Sequence, residues 1–174
     1  NHSIWTTLAI LSSIATISMY TETMLLPALP QLIDEFDLSY NNSSWILSAY
    51  LVAGAVMTPV SGKLSDIYGK KKIMIILISI YTIGLIISPF SSNFFMLLMS
   101  RILQGIGISV FPVTFGLVRE RFPREKLAIS QGIISSMFAG GSVLGLAIGG
   151  TIVQFYDWRL TFFSIIPIAI CLLI

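Results

Sequence analysis

The 174-residue chain holds ten basic and eight acidic side chains, a net charge of +2, against 55% hydrophobic residues and a mean hydropathy of +0.90. Soluble domains are about 25% charged, and charges this few, gathered in clusters, cannot coat the long apolar runs between them. The balance excludes a water-soluble domain and gives nucleic-acid binding no support, because the basic residues flank apolar runs and speak first to membrane topology.

Six stretches carry no Asp, Glu, Lys or Arg: 1–21, 38–62, 73–100, 102–118, 127–156 and 160–174. A bilayer-crossing helix needs about 20 mostly apolar residues. A run such as IMIILISIYTIGLIIS (73–88) is apolar on every face, unlike the alternating strands of a membrane barrel. The chain therefore reads as all-α, a polytopic membrane protein with spans at 4–32, 44–68, 72–91, 93–121, 125–155 and 158–174.

The first span has neither a basic leader nor a small-residue cleavage site, and is expected to remain in the mature protein. It ends in LLPALPQL (25–32) and leads into a loop with Asp34, Glu35 and Asp37 and no base. The stretch GKLSDIYGKKK (62–72) after the second span carries Lys63, Lys70, Lys71 and Lys72, and the fourth-to-fifth loop carries Arg119, Arg121, Arg124 and Lys126. Basic loops lie inside, so the acidic loop is placed outside and the amino terminus in the cytoplasm; the expected location is the plasma membrane. Asn1 is not an initiator methionine and IAICLLI (168–174) lacks an exit loop, so the chain reads as a fragment.

Glu22 and Arg101 are the ionisable side chains well inside the spans, where a charge costs about 2.5–3.5 kcal/mol and faces a cavity or a partner. Counting along both helices puts them in the outer half of the bilayer, within reach of each other. Glu22 is expected to alternate between a proton and substrate or Arg101; a permanent ion pair and a snorkelling carboxylate are the plainer alternatives. Gln104, one turn beyond Arg101, shares its face with Phe111, and this face is read as cavity lining together with Tyr20, Tyr50 and Met137. For all of these, plain packing is the competing reading.

Gly141, Gly145 and Gly149 recur every four residues and let another helix approach closely. Asp66 stands near the carboxyl end of the second helix, against the helix dipole, and so calls for a cation or another helix's amino terminus. Gly62 is read as a close helix contact, Gly69 as a positive-φ turn, and Trp45 and Trp158 as interfacial anchors. A shift of 88 residues lays SAYLVAGAVMTPVSGKLSDIYG on SSMFAGGSVLGLAIGGTIVQFYD, a thin echo that suggests a three-plus-three inverted repeat.

GKLSDIYGKKK resembles the G-x-x-x-D-x-x-G-[RK]-[RK] loop signature of the major facilitator superfamily. RILQGIG (101–107) is similar to its fourth-helix R-x-x-Q-G-x-G, and GSVLGLAIGG (141–150) to its fifth-helix antiporter motif, with Leu146 in place of the motif's proline. LLPALPQL and DWRLTFF (157–163) resemble the drug/proton antiporter branch, although many relatives carry the first-helix acid at the position of Thr23 rather than Glu22. The resemblance implies the amino-terminal six-helix bundle of a two-bundle fold, and a proton-coupled antiporter exporting small amphipathic molecules. Its partners would be substrate, protons, lipid and a carboxy-terminal bundle, with no cofactor; a proton-coupled symporter for nutrient uptake is the alternative.

The resemblance also assigns residues. Gly62, Asp66, Gly69, Lys70 and Glu120 would form a cytoplasmic latch, Lys70 pairing with Glu120 and Asp66 facing a helix amino terminus of the second bundle. The face of Gly141, Gly145, Gly149 and Gly150 would meet that bundle and help seal the cavity. Other classes find little purchase. The sole histidine is His2, Cys171 is alone, and no G-x-S-x-G or metal set is present, so neither enzyme chemistry nor metal binding is expected. A channel would need a carbonyl filter or a regularly basic helix. A receptor or scaffold that has lost its transport cycle is the remaining rival, and Glu22 argues against it.

Overall fold

The computed structural model describes residues 2–174, and among these every regular element is helical. In chain order they are α1 (His2–Thr23), α2 (Leu29–Phe36), α3 (Tyr40–Tyr68), α4 (Lys70–Ile87), a 3₁₀ turn (Ser88–Phe90), α5 (Phe94–Ile108), α6 (Val110–Arg121), α7 (Arg124–Phe155) and α8 (Arg159–Leu173). Among the described residues five segments are long and apolar enough to cross a membrane: Ile4–Thr23, Tyr40–Tyr68, Lys70–Phe90, Phe94–Arg121 and Arg124–Phe155. α8 is apolar but only 15 residues long, so a sixth span of equal length is not among the described residues.

Two expected spans are interrupted, and proline explains both. The run at 4–32 stops at Thr23, because Pro27 has no N–H to offer the Thr23 carbonyl four residues back, turns over 24–28 and resumes as α2, where Pro30 sits in the first turn and its missing N–H costs nothing. The run at 93–121 breaks at Ser109 between α5 and α6, because Pro112 has no N–H to offer the Ile108 carbonyl four residues back. Other boundaries follow ordinary capping chemistry. Ser39 Oγ accepts from the Asn42 amide at 3.2 Å to open α3, and Asn93 Oδ1 accepts from the Met96 amide at 2.8 Å to open α5. Asp37 closes α2 in the left-handed region at φ 49°, which a short polar side chain tolerates.

α1 lies along α7 and also touches α8 and α6; α5 packs between α3 and α4. The core falls into two apolar clusters strung along α1. One gathers Leu25, Leu32, Ile46, Leu85 and Phe162, and the other Leu11, Ile14, Leu77, Val113 and Ile134. Trp158, expected as an interfacial anchor, belongs to the first of these clusters: it is 1% exposed, with Phe36 and Phe162 ring centroids 6.2 and 6.0 Å away. Trp45 is 56% exposed.

Candidate functional site

Arg101, fully buried on α5, ties three helices together. Its Nε donates to the Ile46 carbonyl of α3 at 3.2 Å, and its Nη1 donates to the Thr21 carbonyl of α1 at 3.3 Å and to Gln104 Oε1 at 2.9 Å. The guanidinium lies 4.3 Å from the centroid of the Tyr50 ring, a cation–π contact in a dry setting, and among the described residues its Nη2 finds no hydrogen-bond partner. Gln104 relays the network to α4: its Nε2 donates to the Gly84 carbonyl at 3.2 Å and to Ser88 Oγ at 2.7 Å. Tyr50 and Tyr81 donate to the Ser18 and Ile17 carbonyls of α1, both at 3.0 Å, and Tyr81 also meets Thr21.

Tyr50 and Gln104, read as cavity lining, are therefore wholly buried members of this network. Phe111 is partly buried against Phe138, ring centroids 4.0 Å apart. Tyr20 and Met137 border a recess of about 480 Å³ between α1, α7 and α8.

Glu22, on the last turn of α1, is half-buried, and among the described residues no ion pair joins it to Arg101. The guanidinium acts on its carboxylate through space. The neighbouring Thr23 fills the position where relatives of the resembled branch carry their acid. Its Oγ1 donates to the Ser142 carbonyl of α7 at 3.1 Å, so position 23 faces the α1–α7 seam and position 22 is turned about 100° away from it.

That seam holds the antiporter-like glycines. A Cβ on Gly145 would collide with Thr23 Oγ1 and stand 2.7 Å from the Tyr20 carbonyl oxygen; on Gly149 it would lie 2.8 Å from the Met24 carbonyl oxygen, and on Gly141 it would strike the Thr16 carbonyl. All three are buried. The face expected to meet a second bundle is consumed by α1, because only a side-chain-free stripe lets the two backbones come this close. Gly150 is looser: a Cβ there would lie 3.8 Å from Pro27.

At the α3–α4 corner Lys70 is mostly buried and bridges two carboxylates, Asp66 Oδ1 at 2.9 Å and Glu120 Oε1 at 2.7 Å. Gly69, at φ 95°, makes the turn between the helices. Gly62 has nothing within 4 Å of an added Cβ, so it is no close helix contact among the described residues. The close approach comes from Gly116, which sequence reasoning missed: a Cβ there would lie 2.5 Å from Lys70 Cε. Its bare backbone gives the lysine stem room to lie against α6.

A second missed cluster joins α2 to the start of α8. Arg159 forks onto Glu35, reaches Asp157 at 3.3 Å, donates to the Pro89 carbonyl at 3.1 Å and stacks on Trp158. Trp158 Nε1 donates to Glu35 Oε2 at 2.6 Å, and Gln31 accepts from the Trp158 amide at 3.1 Å. The bonded Arg159 guanidinium holds the Glu35 carboxyl below its ordinary value, against partial burial, and Trp158 helps. A lowered folded-state value means this contribution is complete above the unfolded carboxylate value of about 4.3 and is lost as pH falls through the folded one. The melting temperature of the wild type should therefore drop more steeply below pH 4 than that of Glu35→Gln; parallel curves would refute the linkage.

The family model described as Major Facilitator Superfamily matches residues 11–174. An uncharacterized MFS-type transporter of Mycobacterium tuberculosis is 31% identical over 153 residues, covering 87% of this chain and 22% of that protein. Multidrug resistance protein 3 of Bacillus subtilis is 30% identical over 131 residues, covering 75% and 26%. Among solved structures, the proton:xylose symporter XylE bound to 6-bromo-6-deoxy-D-glucose superimposes with a TM-score of 0.84 at 16% identity, covering 98% of this chain and 43% of that one. The human organic anion transporter MFSD10 gives 0.70 at 18%, covering 96% and 47%. The chain thus spans less than half the length of each of these proteins.

Proposed function

Because the chain belongs to the major facilitator superfamily, a family of membrane transporters rather than enzymes, we propose that it is the amino-terminal bundle of a proton-coupled exporter of small amphipathic molecules. The complete protein would carry a second bundle, alternate between inward- and outward-facing states, and sit in the plasma membrane with its amino terminus in the cytoplasm. In this reading α8 and its partners complete six spans built as a three-plus-three repeat. The observation that carries the proposal is Glu22: an acid on an apolar span, close to a buried guanidinium but, among the described residues, in no ion pair with it, stands where a proton-coupling carboxylate would be needed.

Export is supported by the similarity to a multidrug resistance protein; the likeness to a proton:sugar symporter supports uptake as the second reading. Proteoliposomes of the whole protein decide between them. Counterflow of a lipophilic cationic dye against an imposed proton gradient supports export, and dye movement that ignores the gradient removes proton coupling.

The Asp66–Lys70–Glu120 cluster is proposed as half of a conformational latch. Lys70 is held between two exposed acids, which would leave Asp66 able to meet a helix amino terminus of the second bundle. Asp66→Asn is expected to lower transport about tenfold or more by shifting the inward/outward populations, with substrate affinity kept within a factor of about two. Spin labels across the two bundles read the populations; weakened binding with unmoved populations would rule out the latch.

A further inference from the structure

α1 ends one residue after Glu22, and the last four carbonyls of a helix lack amide partners within it. Helical spacing places Ile17, Ser18, Thr21 and Glu22 within about 140° of one another, on the side of α1 opposite Thr16, Tyr20 and Thr23 of the glycine seam. On that side three buried side chains from three other helices reach the α1 backbone. Tyr50 of α3 donates to the Ser18 carbonyl and Tyr81 of α4 to the Ile17 carbonyl, both at 3.0 Å, and Arg101 of α5 donates to the Thr21 carbonyl at 3.3 Å.

The three contacts are not equivalent. Arg101 holds the carbonyl of the peptide bond that joins Thr21 to Glu22, and the Tyr81 hydroxyl meets the Thr21 hydroxyl as well as the Ile17 carbonyl. Thr21, the residue before the acid, is thus gripped at its side chain from α4 and at its carbonyl from α5. The other end of Tyr81 is fixed too. A Cβ on Gly107 of α5 would strike Tyr81 Cβ and lie 2.9 Å from its Cα, so α5 leaves the stem of this residue no room to shift. The rigid phenol ring, 3% exposed, then spans from the α4–α5 contact to α1.

We infer that Tyr81 is a positioning residue for Glu22: a strut that, through Thr21, sets where the acid-bearing turn of α1 stands relative to Arg101. This role rests on the reading of Glu22 as the coupling acid. Phenylalanine at position 81 keeps the ring and drops only the hydroxyl. Thr21 Oγ1 still donates to the Ile17 carbonyl at 2.8 Å, so neither group is stranded and the loss falls on placement rather than on burial of an unpaired polar atom. Among the described residues, the charged and titratable side chains reaching this turn from neighbouring helices are Arg101, Tyr50 and Tyr81. α7 and α8 meet this end of α1 through Ser142, Gly145 and Ser164, which carry no charge. A displaced turn changes the separation of Glu22 from the guanidinium and with it the pH dependence of coupling.

The test uses the whole protein in proteoliposomes, with gradient-driven accumulation of a lipophilic cationic dye and its downhill exchange measured in the same vesicles across a range of pH. Tyr81→Phe should lower accumulation about threefold or more and displace its pH profile, with downhill exchange within a factor of about two and the melting temperature little changed. Thr21→Val should reproduce this, and the double variant should be no worse than either single one. Ser61→Ala removes a buried bond of the same kind far from Glu22, from Ser61 Oγ to the Ser109 carbonyl at 2.8 Å, and should leave accumulation and pH profile as they are. Wild-type accumulation in both Tyr81→Phe and Thr21→Val beside an uncoupled Glu22→Gln overturns the inference alone. An equal loss in Ser61→Ala, or a loss that follows the melting temperature, overturns it by showing a general effect of loosened packing. Glu22→Gln without effect overturns the reading of Glu22 and the role of Tyr81 with it.

Discussion

Arg101→Ala is expected to abolish transport and to destabilise the bundle by about 2–4 kcal/mol, the cost of stranding several buried acceptors and opening a cavity. Without the guanidinium the Thr21 and Ile46 carbonyls and Gln104 Oε1 lose their donor, and Tyr50 loses the cation over its ring. Because the acceptors belong to α1, α3 and α5, the loss loosens the helix that carries Glu22 against two others. Arg101→Lys keeps the charge but not the planar fork, so it should retain part of the stability and little of the transport. Thermal unfolding of detergent-purified protein, read beside dye counterflow, checks both halves. An alanine variant as stable as wild type would show that the buried network is not what holds these helices in register.

Gly145→Val is expected to be the most damaging single substitution in α7, costing about 2–3 kcal/mol or preventing assembly, since its side chain would overlap Thr23 and the Tyr20 carbonyl in a seam with no slack. Gly62→Ala supplies the contrast. With open space around it in a helix interior, that change should be neutral or stabilising by a few tenths to about 1 kcal/mol. The pair separates close packing from motif membership, because both glycines belong to family-like motifs but only one faces a backbone. Equal effects in the two would refute the packing account.

The contrast also shows where sequence reasoning stops. The helical class follows from run length and from apolarity on every face, and the helices α3, α4, α7 and α8 lie close to the apolar runs, although α8 is too short to count among the five segments long enough to cross a membrane. The breaks at 24–28 and at Ser109 do not follow from hydropathy; they follow from proline geometry, which a composition window averages away. Spacing alone puts Arg101 and Gln104 on one face, and their side chains bond to each other. It could not say that this face is buried, because in an all-apolar span the periodicity that separates inside from outside is weak.

Non-local contacts were the least legible. Glu35 and Arg159 are 124 residues apart, and nothing in either loop announces the other. The buried Trp158 follows from that same corner: with Arg159, Glu35 and Gln31 satisfying its surroundings, the indole packs into the protein core rather than standing exposed. Thr21, Tyr81 and Ser88, which complete the Arg101 network, looked like any other span residues. The signal that could have found them is that polar side chains on apolar spans need partners, and three helices offered them at similar depth.

Glu22 remains the residue on which the functional reading turns. Its carboxylate stands outside the Arg101 hydrogen-bond cage while within reach of its charge, an arrangement suited to a group that must gain and lose a proton. The most direct measurement is gradient-driven dye accumulation in proteoliposomes of the whole protein carrying Glu22→Gln, alongside downhill dye exchange in the same vesicles. Downhill exchange should continue while accumulation falls by about tenfold or more; accumulation unchanged from wild type would contradict the account.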